Sequence, residues 1–288
     1  MTKNYSGYRM LLVHAHPDDE TINNGATMAM YAALGADVTL MTCTRGEEGE
    51  VLVSDLSHLA SAHNDLLGAH RELELAEAMK MLGVTDHRFL GQGSTVFRDS
   101  GMMGSPQNER PDVFWQADVD AAATLLVDVI EEIKPHVLIT YDEFGGYGHP
   151  DHIQAHRVAM RAAELSDWAI QKIYWNAMPK SVLAAGMEKM KEIGSDFFGA
   201  ESIDDIPFAK DDELVTSVID GNEYVHAKMD AMKAHATQIA LDGPFFALSN
   251  NLGLEIWGHE YYSLVRGVKS APFDDNGREL DLFAGIQI

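Results

Sequence analysis

Residues 14–20 read HAHPDDE and residues 146–152 read GYGHPDH. The two stretches share a His-Pro-Asp core. Together they supply four imidazoles (His14, His16, His149, His152) and four carboxylates (Asp18, Asp19, Glu20, Asp151). Each follows a short apolar run and precedes a segment of helical spacing, so each reads as a strand-to-helix turn. Capping accounts for part of the pattern, because Asp accepts from free N–H groups at a helix start and Pro fits the first turn. A cap needs only one short polar side chain, however, and these turns supply far more. Two imidazoles and a carboxylate suit zinc, and three protein ligands leave a position open for water, as in catalytic zinc sites. A cation so held lowers the pKa of that water towards ~7 and polarises a carbonyl oxygen, which makes hydrolysis the natural reaction class. The same ligand set also serves Fe2+. A further carboxylate able to act as base favours hydrolysis.

A second metal pattern fails on one residue. His152 and His156 stand four apart in HIQAH, as the zinc histidines of HExxH proteases do, but position 153 is Ile where that motif carries its base. His156 therefore reads as a helix-surface residue or one that supports a ligand from behind.

The elements that must position the two turns follow from periodicity. Strand-length apolar runs occur at 10–15, 37–43, 87–91, 136–141 and 171–178, and segments with apolar residues every three or four positions lie between them at 23–34, 63–82, 118–133 and 152–165. This alternation predicts an α/β fold: a Rossmann-like, mostly parallel sheet with helices on both faces, whose ligands bind outside the carboxyl ends of the strands. Two long connections, 44–57 and 91–117, interrupt the rhythm, and loops of such length inside a domain are usually functional or disordered. After about residue 180 the pattern becomes irregular, with helical 181–193 and 221–240, a strand at 213–219 and ALSNNLG (247–253) in a loop. The expectation is a catalytic core over 1–180 and a smaller C-terminal α+β portion over 181–288, packed beside it and completing the pocket.

The chain has 288 residues, 46% hydrophobic, enough for a substantial core. Its 21 basic and 45 acidic residues give a formal charge of −24, which repels phosphate backbones and anionic membrane surfaces, so nucleic acid and membrane are not expected partners. Cys43 is the only cysteine, so no internal disulfide or thiolate cage can form and a metal must use nitrogen and oxygen. No stretch approaches the ~18 apolar residues needed to span a bilayer. A cytoplasmic protein with no obligate protein partner is expected.

HAHPDDE with GGYGHPDH (145–152) resembles the zinc-dependent N-acetylglucosaminyl deacetylases of the LmbE and phosphatidylinositol-glycan class L (PIG-L) type. NGATMA (24–29), TCTRGEEGEV (42–51), FRDSGMMG (97–104), AHATQ (234–238) and ALSNNL (247–252) are similar to the branch that removes acetyl from N-acetylglucosaminyl-inositol in mycothiol biosynthesis. The resemblance implies that His16, Asp19 and His152 hold zinc, with Fe2+ as the other candidate, while Asp18 takes a proton from water. It further implies that Tyr147 donates to the developing oxyanion and that His149, oriented by Asp151 and protonated near neutrality, acts as acid or electrostatic stabiliser. Arg71 and Asp99 would meet sugar hydroxyls, and the substrate would be a small amino-sugar inositol. A sister branch that cleaves the amide of mycothiol S-conjugates shares the turns but carries a Lys shortly after the carboxylates, where Ile22 and Asn23 stand here. A sugar or metal binder without turnover is a further alternative. A nucleotide-binding protein fits less well, since carboxylates after the first strand would repel phosphate.

Overall fold

The computed structural model describes residues 3–93, 95–192, 200, 202–240 and 258–288. Its elements, in chain order, are β1 (Arg9–His14), α1 (Asp19–Ala33), β2 (Asp37–Thr42), α2 (Leu67–Leu82), β3 (Asp86–Phe89), α3 (Val119–Ile133), β4 (Val137–Thr140), α4 (Gly145–Gly148), α5 (Pro150–Leu165) and β5 (Lys172–Pro179). They continue with α6 (Lys180–Glu192), β6 (Ala209–Lys210), β7 (Ser217–Asp220), α7 (Val225–Ala234) and β8 (His259–Arg266). The five apolar runs thus form β1 to β5. All five are parallel, in the order β3-β2-β1-β4-β5, and the mixed α/β architecture is the expected one.

Period-two alternation gives β1, β2 and β4 two buried faces. Met10 and Leu12 of β1 join Met28, Leu75 and Met79 from α1 and α2 on one side of the sheet. Leu11 and Val13 join Leu126 and Val158 from α3 and α5 on the other. Burial on both faces is the reason these strands read as continuous apolar runs, since a parallel sheet is covered by helices above and below.

Chain order makes β1 and β4 neighbours, with Met10 opposite Val137 and Leu12 opposite Ile139. After β1 the chain winds outward through β2 and β3, then returns across to β4, so the connections leave in opposite directions between these two strands. This is the switch point where open α/β sheets bind their ligands. Both His-Pro-Asp turns leave the carboxyl ends of this one strand pair, and 130 intervening residues do not keep them apart.

Beyond residue 180 the chain extends the same sheet. β8 pairs antiparallel with β5 and with β7, while β6 pairs with the end of β5. β8 is absent from the periodicity reading, although HEYYSLVR carries the aromatic and β-branched residues of a half-buried strand. The expected strand at 213–219 is β7, and the expected helix over 221–240 is shorter, as α7. Asn250, Asn251 and the ALSNNL stretch lie outside the described residues. Among the described residues no helix is long and apolar enough to cross a membrane.

Candidate metal and catalytic site

The first turn begins where β1 ends. His14 is fully buried and held at both nitrogens, by the Tyr141 hydroxyl at 3.1 Å and by Asn24 Oδ1 at 2.7 Å, so it is a structural support for the turn. Asp18 then enters a backbone conformation that L residues rarely adopt, φ 110° and ψ −36°. Its surroundings enforce it. The Asp18 N–H donates to Glu20 Oε2 at 2.9 Å, its carbonyl accepts from Thr21 and Ile22 N–H at 3.0 Å each, and Arg71 Nη2 donates to Asp18 Oδ2 at 3.1 Å and also to the Pro17 carbonyl. Glu20 is anchored in turn by buried His235 at 2.8 Å. Strain of this kind persists only where neighbours over-determine it, and it concentrates at functional positions.

The second turn is built by glycine and a cap. Gly145 has φ 66°, and a Cβ there would lie 2.6 Å from His152 Cβ, so the close approach of this loop to α5 requires glycine. The approach lets His152 Nδ1 donate to the Gly145 carbonyl at 3.1 Å. His149 caps α5, its Nδ1 accepting from the Asp151 N–H at 3.1 Å, with Pro150 in the first turn.

The two turns meet at Asp19. Its Oδ2 lies 3.4 Å from His16 Nδ1 and 3.4 Å from His152 Nε2. Two donors each ~2.0–2.1 Å from one tetrahedral zinc ion stand about 3.3 Å apart, so each of these two pairs has the spacing of ligands that share an ion. His152 Nε2 is buried and has no hydrogen-bond partner. An orphaned buried nitrogen is costly, and a metal would satisfy it. The remaining nitrogen of each imidazole is held from behind: His16 Nε2 by Asp151 Oδ2 at 3.1 Å, and His152 Nδ1 by the Gly145 carbonyl. Metal-binding histidines characteristically show this pattern, the rear partner fixing tautomer and ring orientation.

Two tighter groupings can also hold a metal, His16 with His149 and His152, and His16 with Asp99, His149 and Asp151, their ligand atoms lying within 4.8 Å of one another. The carboxylates of the second grouping are engaged on more sides than Asp19, whose Oδ2 accepts from the His16 N–H at 2.9 Å. Asp151 accepts from Ser100 N and Oγ and from His16, and Asp99 accepts from Glu48 N at 3.2 Å and Gly101 N at 2.8 Å.

Asp18, Asp19, Tyr147 and His152 line a cleft of about 500 Å³. Its lining also includes Met178, Pro207, Phe208, Ile239 and Tyr261. Residues after 180 therefore contribute much of the lining. His16, His149, Asp99 and Asp151 sit directly behind, each less than a tenth exposed.

Electrostatics distinguish these groups. Burial pushes the Asp18 carboxyl up to about 6, although Arg71 pulls it the other way. Burial opposes charge on His16, yet Asp99, Asp151 and Asp19 hold it well above the ordinary histidine range, so the site favours a cation at this position. Asp19 is held well below the usual carboxylate range, the charges of His152 and His16 overcoming its burial. Tyr147 keeps a half-exposed ring, edge-on to His152 at 4.9 Å. Burial of its phenol, with Asp19 adding, raises its pKa so that it stays protonated as a donor.

The structure places the other four expected residues as follows. Burial, followed by the charges of His16 and His152, pushes His149 down to about 2. Asp151 directs its carboxylate to His16 and gives His149 only a backbone N–H. Arg71 is 3% exposed and donates to the Gly46 and Pro17 carbonyls and to the carboxylate of Asp18, which lines the cleft. Asp99 is similarly enclosed, between backbone N–H groups and His16. The sequence reading passed over Ser100, His235 and Tyr141; the only signals were that the first two sit in FRDSGMMG and AHATQ.

A mostly parallel α/β sheet with paired His-Pro-Asp turns at its switch point, and a carboxylate between two rear-anchored imidazoles, marks a candidate metal site. The chain belongs to the PIG-L family: the family description, GlcNAc-PI de-N-acetylase, matches residues 11–163. A Catenulispora acidiphila protein named 1D-myo-inositol 2-acetamido-2-deoxy-alpha-D-glucopyranoside deacetylase 1 is 58% identical over 97% of this chain and 90% of its own length. A Geodermatophilus obscurus protein named as the same deacetylase is 56% identical, covering 96% and 98%. Among solved structures, N,N'-diacetylchitobiose deacetylase from Pyrococcus horikoshii is similar with a TM-score of 0.56 and 18% identity, over 90% of this chain and 84% of that one. The 4-carboxy-2-hydroxymuconate hydratase GalB from Pseudomonas putida is equally similar, with a TM-score of 0.57 and 16% identity over 93% and 100%. A hydratase on the same fold shows that the fold alone does not choose the reaction.

Proposed function

We infer that this chain hydrolyses the N-acetyl amide of N-acetylglucosaminyl-inositol, releasing acetate and glucosaminyl-inositol, as a step of mycothiol biosynthesis. Zinc is held by His16, Asp19 and His152. The observation that carries this reading is Asp19 Oδ2, equidistant from two imidazole nitrogens whose opposite nitrogens are both held from behind. High identity to the named deacetylases over nearly the whole chain supports the substrate.

Zinc, when bound, supplies a Lewis acid that lowers the pKa of a water and polarises the acetyl carbonyl. The chain's own residues do the rest. Asp18 takes the proton from the attacking water and, being poised near 6, can return it to the departing amine. Tyr147 donates its O–H to the carbonyl oxygen as negative charge develops there. His149 is pushed towards its neutral form and its Nδ1 is occupied as an acceptor, so Nε2 carries the proton and acts as a donor from behind the cleft lining. Arg71 holds Asp18 in place and the Asp99 carboxylate faces His16, both acting from behind the cleft.

Two expected results check these roles. Tyr147→Phe should lower kcat about 10²-fold with KM little changed, because the lost donor acts on charge that exists only in the transition state. The profile of kcat/KM against pH should fall about tenfold per unit on the acid side of about 6, because Asp18 of the free enzyme is protonated below its raised pKa and cannot act as base. A rate unaffected by pH between 4 and 8 would argue against Asp18 as base.

The function is tested by incubating zinc-loaded protein with N-acetylglucosaminyl-inositol and with a mycothiol S-conjugate, and measuring new primary amine. Higher kcat/KM on the first supports the deacetylase reading, whereas higher kcat/KM on the second moves the chain to the amidase branch. The apolar residues in the cleft lining favour some activity on the bulkier conjugate. No amine from either substrate would leave a binding protein without turnover.

A further inference from the structure

We propose that Ser100 positions the metal ligand His16 by fixing the carboxylate of Asp151, an inference that rests on the metal reading above. Ser100 lies in the long connection 91–117 and is fully buried. Arg98 ties that connection down with bonds to Glu48 and Asp65, each at 2.7 Å, and Asn108 Nδ2 donates to the Ser100 carbonyl at 2.6 Å. The connection thereby carries a serine from beyond β3 to the start of α5.

There Ser100 donates twice to one carboxylate. Its backbone N–H reaches Asp151 Oδ2 at 2.9 Å and its hydroxyl bonds Asp151 Oδ1. The hydroxyl oxygen accepts from the Trp115 N–H at 2.9 Å, which leaves the hydroxyl proton for Asp151. Asp151 Oδ2 then receives His16 Nε2–H at 3.1 Å. The donors run in one direction, from Trp115 to Ser100 to Asp151, with His16 donating from the other side. A carboxylate pinned at both oxygens cannot rotate, so His16 keeps its proton on Nε2 and directs the Nδ1 lone pair towards Asp19. Groups that orient a metal-binding histidine affect affinity by about 10–100-fold. Ser100 acts one bond further back, through Asp151, and it supplies the restraint that the Asp151 backbone, engaged in capping by His149, does not.

Zinc affinity is the appropriate readout, because destabilisation common to the metal-free and metal-bound protein cancels in a binding constant. Ser100→Ala retains the backbone donor and removes the hydroxyl, and it should weaken zinc by about tenfold in a chelator competition. It should also shift the visible absorption bands of the cobalt-substituted protein. Ser100→Cys offers a weaker donor and should fall between, which keeps the test open should the alanine variant fold poorly. Wild-type affinity and an unchanged cobalt spectrum in the variants would overturn the role of Ser100. Should the wild type itself take up no tightly held zinc, the metal reading fails and this inference with it.

Discussion

Asp18→Ala is expected to lower kcat about 10²–10⁴-fold while the protein still binds zinc, since the substitution removes a proton-transfer group and leaves His16, Asp19 and His152 in place. The effect should fall on kcat and kcat/KM together, because the base acts only as the transition state forms. Stability should move differently from activity. Asp18 sits at φ 110°, a conformation that glycine adopts freely and alanine does not. Asp18→Gly should therefore be as inactive as Asp18→Ala yet more stable by about 1 kcal/mol, reversing the usual order of these residues. Urea unfolding of the two zinc-free variants measures the difference. An alanine variant at least as stable as the glycine variant would mean that the strain at this turn is not present in solution. A kcat close to that of the wild type in either variant would remove Asp18 from the mechanism.

His152→Ala is expected to abolish deacetylation together with zinc binding. Structural zinc sites of four ligands bind with roughly 10–16 kcal/mol, so the loss of one ligand costs on the order of 3 kcal/mol, at least about 10²-fold in affinity. Removing the metal from the wild type with a chelator should reproduce the loss, and zinc should restore activity to the wild type but not to the variant. His149→Ala is the informative partner. In the proposed site His149 is a hydrogen-bond donor, so this variant should keep its zinc and lose part of kcat. The grouping of His16 with Asp99, His149 and Asp151 gives the opposite result: His149→Ala would lose the metal and His152→Ala would keep it. Metal content of the two purified variants decides between the arrangements without reference to activity.

The local pattern of the chain determined a large part of this. Alternating apolar runs and helical spacings are local properties, and they suffice for the five parallel strands, for the helices that cover them, and for placing both His-Pro-Asp turns at carboxyl ends. The kinds of chemistry were also legible, because imidazoles and carboxylates in two turns of an otherwise apolar frame have few other uses. Where the elements differed, local signals were weak. β8 follows a stretch without clear periodicity, and it is a strand because the open edge of β5 accepts it.

Only the tertiary structure decided what each side chain faces. The turn sequence contains Asp151 two residues after His149, which suggests that they pair. The fold instead brings His16 from β1 within 3.1 Å of that carboxylate and leaves His149 to a backbone N–H. The resemblance implies that Arg71 and Asp99 meet sugar hydroxyls, and only the fold shows that both are buried beside the first turn, on Asp18 and on His16. The proton affinity of His149 depended on its burial and on the imidazole of His16, which lies in the other turn and outside any window around residue 149. Secondary structure follows from residues a few positions apart, whereas hydrogen-bond partners and proton affinities follow from groups up to some two hundred residues distant, as His235 is from Glu20.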